Sequence, residues 1–379
     1  LPRSLERAFK RSLASFLGFL FDARRPVPFV AGPSPRILVI RQHNQLGDML
    51  CVVPLLRALR AAYPAAFIAL MASPVNHDVM LYNRYLDEVI DFDKKRFMGK
   101  GRILRFPGYI RSLRSRRFDI ALVPSTVSTS FTSDLLAYLS GAKLRAGAGT
   151  IDGKENPSAF FLTHRQTLDW RGNDARPQVL RNLDIWPGNL GTTPDLSVEM
   201  TLLEDELQWG KSFVFNVKDA SNGIIVYHPG AGKTPNRWPA DWFSFVANLI
   251  AEKHGTATII TAGPMDAEAV SVMVRGLRCP HRIVHNKPIR RVASILHFAS
   301  LVISNDTGVM HVAAAAGAPV LSLFGPTPPE QWAPIGPRHR YLRGEGGDIT
   351  TIKPEMVIEA AEEMFIAGGR GKQRMVTQD

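Results

Sequence analysis

An apolar run, Leu301-Val302-Ile303-Ser304, passes directly into Asn305-Asp306-Thr307-Gly308. A small apolar segment, Val309–Ala316, follows, then Gly317, Pro319 and a second apolar run, Val320–Phe324. Few folds accept that order. The first run is long enough for a strand buried on both faces. The Asn-Asp-Thr-Gly group supplies helix-start chemistry, and the alanines favour a helix packed close on a sheet. Gly317 ends the helix and Pro319 prevents its continuation. Strand, turn, helix and strand make a βαβ unit of a parallel sheet, whose ligands gather at the carboxyl ends of the strands.

At that end lie Asp306, Thr307 and Gly308. The first amides of a helix lack internal partners, and the macrodipole adds partial positive charge there. A phosphate is the usual occupant, and Gly308 allows close backbone approach. His311 follows Thr307 by one helical turn on the same face. Taken singly, Asp306 is an ordinary cap and His311 an ordinary core histidine. The combination is what singles the stretch out.

A chain of 379 residues exceeds one ordinary core, so two domains are expected. The two cysteines, Cys51 and Cys279, are far apart and suit neither a disulfide framework nor a metal motif, which fits a reducing compartment. A net charge of +12 calls for an anionic partner or surface: nucleic acid, anionic lipid or phosphorylated glycan. The basic loops of residues 94–117 hold few aromatics and no nucleic-acid-binding motif, so no nucleic-acid partner is expected.

Residues 1–35 read as an extension. Leu5, Phe9, Leu13, Phe16, Leu17 and Leu20 recur at helical spacing, with Arg3, Arg7, Lys10 and Arg11 elsewhere on the wheel. Such a basic amphipathic helix lies on anionic membranes, or packs on its own protein. Its apolar section, Leu13–Phe21, is too short to span a bilayer, and Arg24-Arg25 follows without a cleavage site.

Residues 36–190 read as one doubly wound α/β domain, with strands at 36–41, 67–72, 89–92 and 118–123 and helices at 103–114 and 131–140. Residues 191–366 read as a second, with strands at 223–227 and 256–261 preceding the opening unit and a last helix at 354–365. Residues 367–379 read as a disordered tail. Asp48 falls between the carboxyl end of the first strand and a helix bearing Leu55, Leu56 and Leu59. By position alone it is an N-cap, worth about 1 kcal/mol.

His228-Pro229-Gly230-Ala231-Gly232-Lys233-Thr234 ends like a Walker A loop, but that motif needs a glycine where Tyr227 stands. Pro235 also interrupts the helix that should begin there, so a P-loop NTPase is rejected. The glycines still leave backbone N–H groups open to an anion, and Arg237, or Lys233, would add a fixed cation. Trp238 reads as core. Gly263-Pro264-Met265-Asp266 follows a strand, and a helix-start carboxylate is the plain reading of Asp266 and Glu268. No cluster of histidine, cysteine or carboxylate has metal-ligand spacing.

Three patterns carry a resemblance: R-x4-LGD-x5-P-x4-LR-x2-YP at Arg41–Pro64, HPGAG-x4-RWP-x3-F at His228–Phe243, and DTG-x2-H-x-AAA-x-G-x-P-x3-LFGPT at Asp306–Thr327. Over roughly residues 36–366 the chain resembles glycosyltransferase family nine, the ADP-heptose–lipopolysaccharide heptosyltransferases. The resemblance implies a GT-B architecture, two Rossmann-like domains facing across a cleft, the first binding acceptor and the second the donor. It implies Asp48 as catalytic base. For the donor it implies Gly230, Lys233, Arg237, Asp306, Thr307, Gly308 and His311, with Asp266 or Glu268 at the ribose and Ile289 at the adenine. It implies an inverting transfer without metal or cofactor, ADP-heptose or a related nucleotide sugar as co-substrate, and an anionic lipopolysaccharide-core acceptor at the inner face of the cytoplasmic membrane. A GT-B sugar-nucleotide epimerase and a non-catalytic carbohydrate- or lipid-binding protein are the alternatives.

Overall fold

The computed structural model describes residues 28, 30–97, 102–188, 190, 195–217 and 222–368. The amphipathic helix expected near the amino terminus and the tail beyond Gly368 lie outside them. In chain order the elements are β1 (Arg36–Arg41), α1 (Leu46–Leu50), α2 (Val53–Ala62), β2 (Phe67–Ala72), α3 (Pro74–Met80), β3 (Glu88–Asp91), α4 (Phe106–Ser115), β4 (Ile120–Val123), α5 (Phe131–Leu139), β5 (Leu144–Ile151), β6 (Lys154–Glu155), β7 (His164–Leu168) and α6 (Gln178–Leu183). Then come α7 (Glu204–Phe215), β8 (Ile224–His228), α8 (Ala240–His254), β9 (Ala257–Ala262), α9 (Ala267–Gly276), β10 (His281–His285), α10 (Ile289–His297), β11 (Leu301–Asn305), α11 (Gly308–Ala315), β12 (Val320–Phe324), α12 (Pro329–Trp332), β13 (His339–Arg343) and α13 (Pro354–Ala367).

The strands form two sheets. The first runs β3-β2-β1-β4-β5-β6, with β7 also paired to β5. All its pairings are parallel except the short β5–β6 hairpin. The second runs β10-β9-β8-β11-β12-β13, parallel throughout. In both, the order reverses direction beside the first strand of the sheet. That is the doubly wound pattern, with a ligand crevice at the reversal. In the first sheet the reversal lies between β1 and β4, and in the second between β8 and β11.

The central strands explain why their positions were readable. Ile37 to Ile40, Ile120 to Val123 and Leu301 to Ile303 are all buried. Helices cover both faces, so no polar alternation survives. Gly317 takes φ +87° just past α11, a left-handed turn that ends the helix and feeds β12.

The chain divides into two compact units. The first includes Asn83–Asp195, and the second runs from Leu196 but also takes in Asp78–Tyr82. Arg290, buried in the first turn of α10, explains this exception. It donates to the carbonyls of Asp78 at 3.0 Å, Leu81 at 3.4 Å and Thr201 at 2.8 Å. Its guanidinium also pairs with Glu206 at 2.5 Å and lies 5.1 Å from the Tyr82 ring centroid.

Candidate active site

In the first unit, β1 delivers Arg41 to the reversal point. The side chain is buried, and Nη1 donates to the carbonyl of Pro124, at the end of β4. Nη2 donates to Asp48 Oδ1 at 2.8 Å. The next residue, Gln42, donates from Nε2 to Ser130 Oγ at 3.1 Å and Ser133 Oγ at 3.2 Å. The loops after β1 and β4 are thereby stitched together, and the carboxylate is oriented by a guanidinium that is itself anchored.

This corrects the N-cap reading of Asp48. A separate short helix, α1, precedes α2, the helix that bears Leu55, Leu56 and Leu59. Gln45 is its N-cap, with extended backbone and no side-chain cap bond, and Asp48 lies inside α1. The cap position is therefore already filled, and the carboxylate faces Arg41 instead. His43, which the sequence did not flag, shares this loop. Burial, then the positive charges of Arg41 and Lys94, hold its pKa below the usual imidazole value. Cys51 is no nucleophile: burial pushes its thiol up to about 12.

In the second unit, Asn305 organises the reversal point, and the sequence reading missed it. It is fully buried at the end of β11. Its Nδ2 donates to the carbonyls of Pro229 at 2.9 Å and Gly230 at 3.2 Å, while Oδ1 accepts the Trp238 amide at 3.1 Å. Trp238 is core, as expected, and its indole N–H donates to Ile352 O at 2.8 Å. The Gly230 loop is thus held against the Asp306–Gly308 turn. Arg237 Nε donates to Ala231 O at 2.8 Å, fixing that cation on the same loop. Lys233 is exposed beside it.

Thr307, not Asp306, is the N-cap of α11, and its side chain makes no cap bond. Asp306 instead accepts from Asn236 Nδ2 at 2.8 Å, and that amide also reaches Thr327 Oγ1 at 3.2 Å. Burial pushes the Asp306 carboxyl above the usual carboxylate range, while the Thr327 hydroxyl and the Lys233 ammonium pull the other way. His311 is buried, its Nδ1 lacks a partner among the described residues, and burial lowers its pKa to about 4. It is a neutral imidazole at neutral pH and can donate or accept, but it adds no charge.

Asp266 serves the loops. Its Oδ2 accepts the Gly263 amide at 2.7 Å and lies 3.8 Å from His228 Nε2. A Cβ on Gly230 would come within 2.0 Å of Asp266 Oδ1, so any other residue there would force that carboxylate aside. Glu268 is exposed in the first turn of α9. Ile289 is half-buried at the start of α10, just past the carboxyl end of β10. Around Gly230 to Lys233 and Thr307-Gly308, backbone amides and two cations therefore line one strand reversal. Such an arrangement has the chemistry to receive an anion.

Comparison with known proteins bears on the family and the fold. The family model described as glycosyltransferase family 9 (heptosyltransferase) matches residues 108–358. Lipopolysaccharide heptosyltransferase 2 of Escherichia coli K12 is 26% identical over 324 residues, covering 81% of this chain and 88% of that protein. The crystal structure of a family 9 glycosyl transferase from Veillonella parvula superposes with a TM-score of 0.75 at 24% identity, covering 88% of this chain and 98% of that one. Escherichia coli heptosyltransferase WaaC with ADP gives a TM-score of 0.69 at 18% identity, covering 87% and 99%. These two structures share the fold, two Rossmann-like units of the GT-B class. With two doubly wound units and a family match across most of its length, the chain belongs to glycosyltransferase family 9, the heptosyltransferases.

Proposed function

We propose that this glycosyltransferase moves heptose from ADP-heptose to a hydroxyl of the lipopolysaccharide inner core, with inversion and without a metal. The observation that carries the reading is the anion site built on Asn305, where the Gly230 loop, Arg237 and the Thr307-Gly308 amides share one reversal point. Relatives named for the same transfer support the sugar and the acceptor class.

In this mechanism Asp48 takes the proton of the acceptor hydroxyl on Oδ2, the oxygen that Arg41 does not hold. The hydroxyl oxygen attacks the anomeric carbon as the bond to the diphosphate oxygen breaks, so the configuration inverts. Negative charge grows on the departing ADP. In this reading Arg237, Lys233 and the helix-start amides receive it, and groups fixed by the fold do so without reorganisation. Fixed cations and a helix end take the place of the metal used by other glycosyltransferases.

The test is ADP release from ADP-heptose with a panel of truncated lipopolysaccharide cores. Release that requires one core and no other supports the reading. Solvent hydrogen entering the sugar without acceptor would instead mark an epimerase, and binding without release a non-catalytic protein.

The same reading places the enzyme at the inner face of the cytoplasmic membrane, held by residues 1–25. Among the described residues no helix is long and apolar enough to cross a membrane. Each basic residue near an anionic surface contributes about 1 kcal/mol, so binding should weaken with salt. Equal sedimentation of full-length and truncated protein with anionic liposomes would refute this placement.

A further inference from the structure

Between β4 and α5 the chain carries a hydroxyl at Ser125, Thr126, Ser128, Thr129 and Ser130, interrupted by Val127. This run leaves β4 at the sheet end where Arg41 leaves β1. With the β5–β6 hairpin it borders an open cavity of about 510 Å3, lined by Val127, Ser128, Thr129, Ile151, Lys154 and Glu155. That volume falls in the range of small-ligand sites, roughly 300–1,000 Å3. The mechanism above does not use it.

Both walls are set before any ligand arrives. The first wall runs into Ser130, the N-cap of α5, whose Oγ accepts the Ser133 amide at 3.3 Å. The second runs into Asn156 and Ser158. Asp134, on α5 and 1% exposed, ties the two together. Its Oδ2 accepts from Asn156 Nδ2 at 2.9 Å and from Ser158 Oγ at 2.6 Å. Asn156 also donates to Ala148 O at 2.7 Å, which fixes the hairpin to its strand. A carboxylate taken this far from water persists only with such partners. Ser130 and Ser133 meanwhile hold Gln42, so the helix start that anchors the cavity also registers the Asp48 loop. Thr126, one residue from the cavity lining, keeps a buried hydroxyl without a partner among the described residues.

The lining fits one ligand chemistry. Hydroxyls, one ammonium and one carboxylate can meet a ring of hydroxyls, and Val127, 62% exposed, offers a small apolar patch to a C–H face. No aromatic lines the cavity to stack on a base, and an acyl chain laid there would strip water from Lys154 and Glu155. We infer that this cavity is an acceptor subsite, holding a sugar ring adjacent to the one that bears the attacked hydroxyl. The inference rests on the reading of the chain as a lipopolysaccharide-core glycosyltransferase. Asp134 acts here as a positioning residue.

The probe is a deacylated inner-core oligosaccharide. Val127→Trp fills the cavity from an exposed position, and the double variant Ser128→Ala/Thr129→Val removes two hydroxyls without bulk. Each should raise the acceptor KM about tenfold or more, with kcat at saturating acceptor and affinity for ADP unchanged. Asp134→Ala should raise the acceptor KM likewise, whereas Asp134→Asn, whose amide oxygen still accepts both bonds, should keep the wild-type KM. Turnover with an unchanged KM in both cavity variants overturns the subsite and leaves the transferase reading intact. Saturation-transfer NMR of the oligosaccharide without donor separates the two further. If binding is lost in Val127→Trp although the wild type never releases ADP, the subsite stands and the transferase reading fails.

Discussion

Asp48→Asn tests the proposed chemistry most directly, because the structure predicts what the substitution keeps. The amide is nearly isosteric with the carboxylate, and its oxygen can still accept from Arg41 Nη2, now 2.8 Å from Oδ1. Arg41 also retains the Pro124 carbonyl. Removing one charge of a buried pair costs about 3–5 kcal/mol when nothing replaces it. Here a hydrogen bond survives and Asp48 is partly open to water, so about 1–3 kcal/mol is expected. A typical folding stability of about 5–15 kcal/mol absorbs that. The activity should fall much further than the fold weakens. A missing general base costs roughly 10²–10⁴-fold in kcat, or about 3–5 kcal/mol of barrier. ADP affinity should not change, since the anion site belongs to the other unit. The assay pairs steady-state ADP release with urea denaturation and ADP titration of the same variant. Arg41→Met supplies the control: the base remains but loses its anchor, so kcat should fall less than in Asp48→Asn. If Asp48→Asn keeps more than about a tenth of wild-type kcat, Asp48 is not the base.

Arg237→Ala should weaken ADP far more than adenosine, because it removes a cation from the diphosphate site; equal losses in calorimetric titrations would place Arg237 elsewhere. Gly230→Ala drives a methyl into the Asp266 carboxylate and should break its bond to the Gly263 amide. It should cost about 1–3 kcal/mol in urea denaturation and lower ADP affinity with it, and an unchanged variant would mean that the loop moves freely. His311 has a folded pKa of about 4 against an ordinary 6.5, so between those values the unfolded chain binds more protons. Its contribution to stability is therefore complete above pH 6.5 and is lost as pH falls toward 4. Relative to His311→Met, the wild type should lose about 3 kcal/mol across that window; a pH-independent difference would mean that the imidazole is not buried neutral.

The strands at 36–41, 67–72, 224–228, 301–305 and 320–324 were legible because burial on both faces leaves a plain apolar run. β5, Leu-Arg-Ala-Gly-Ala-Gly-Thr-Ile, escaped notice: small residues and a bulge between Ala148 and Thr150 hide its pattern. β13, His-Arg-Tyr-Leu-Arg, sits at a sheet edge, largely exposed, and carries no run at all. Asp48, Arg41 and the Gly230 loop could be picked out by motif, but the contacts that hold them could not. The Arg41–Pro124 bond and those of Asn305 and Asn236 join loops distant in sequence, and no periodicity encodes that. The hydroxyl run at 125–130 looks like an ordinary loop until the hairpin that completes its cavity is in place.

The small segment Asp78–Tyr82 limits how this enzyme can be taken apart. A gene cut at the natural junction after Asp195 would yield a second-unit fragment missing five of its own residues. Arg290 would then lose the Asp78 and Leu81 carbonyls and the Tyr82 ring, retaining Thr201 and Glu206. The second fragment should therefore recover its native packing only when the first is present to lend that segment, and swapping either half between relatives requires exchanging it too.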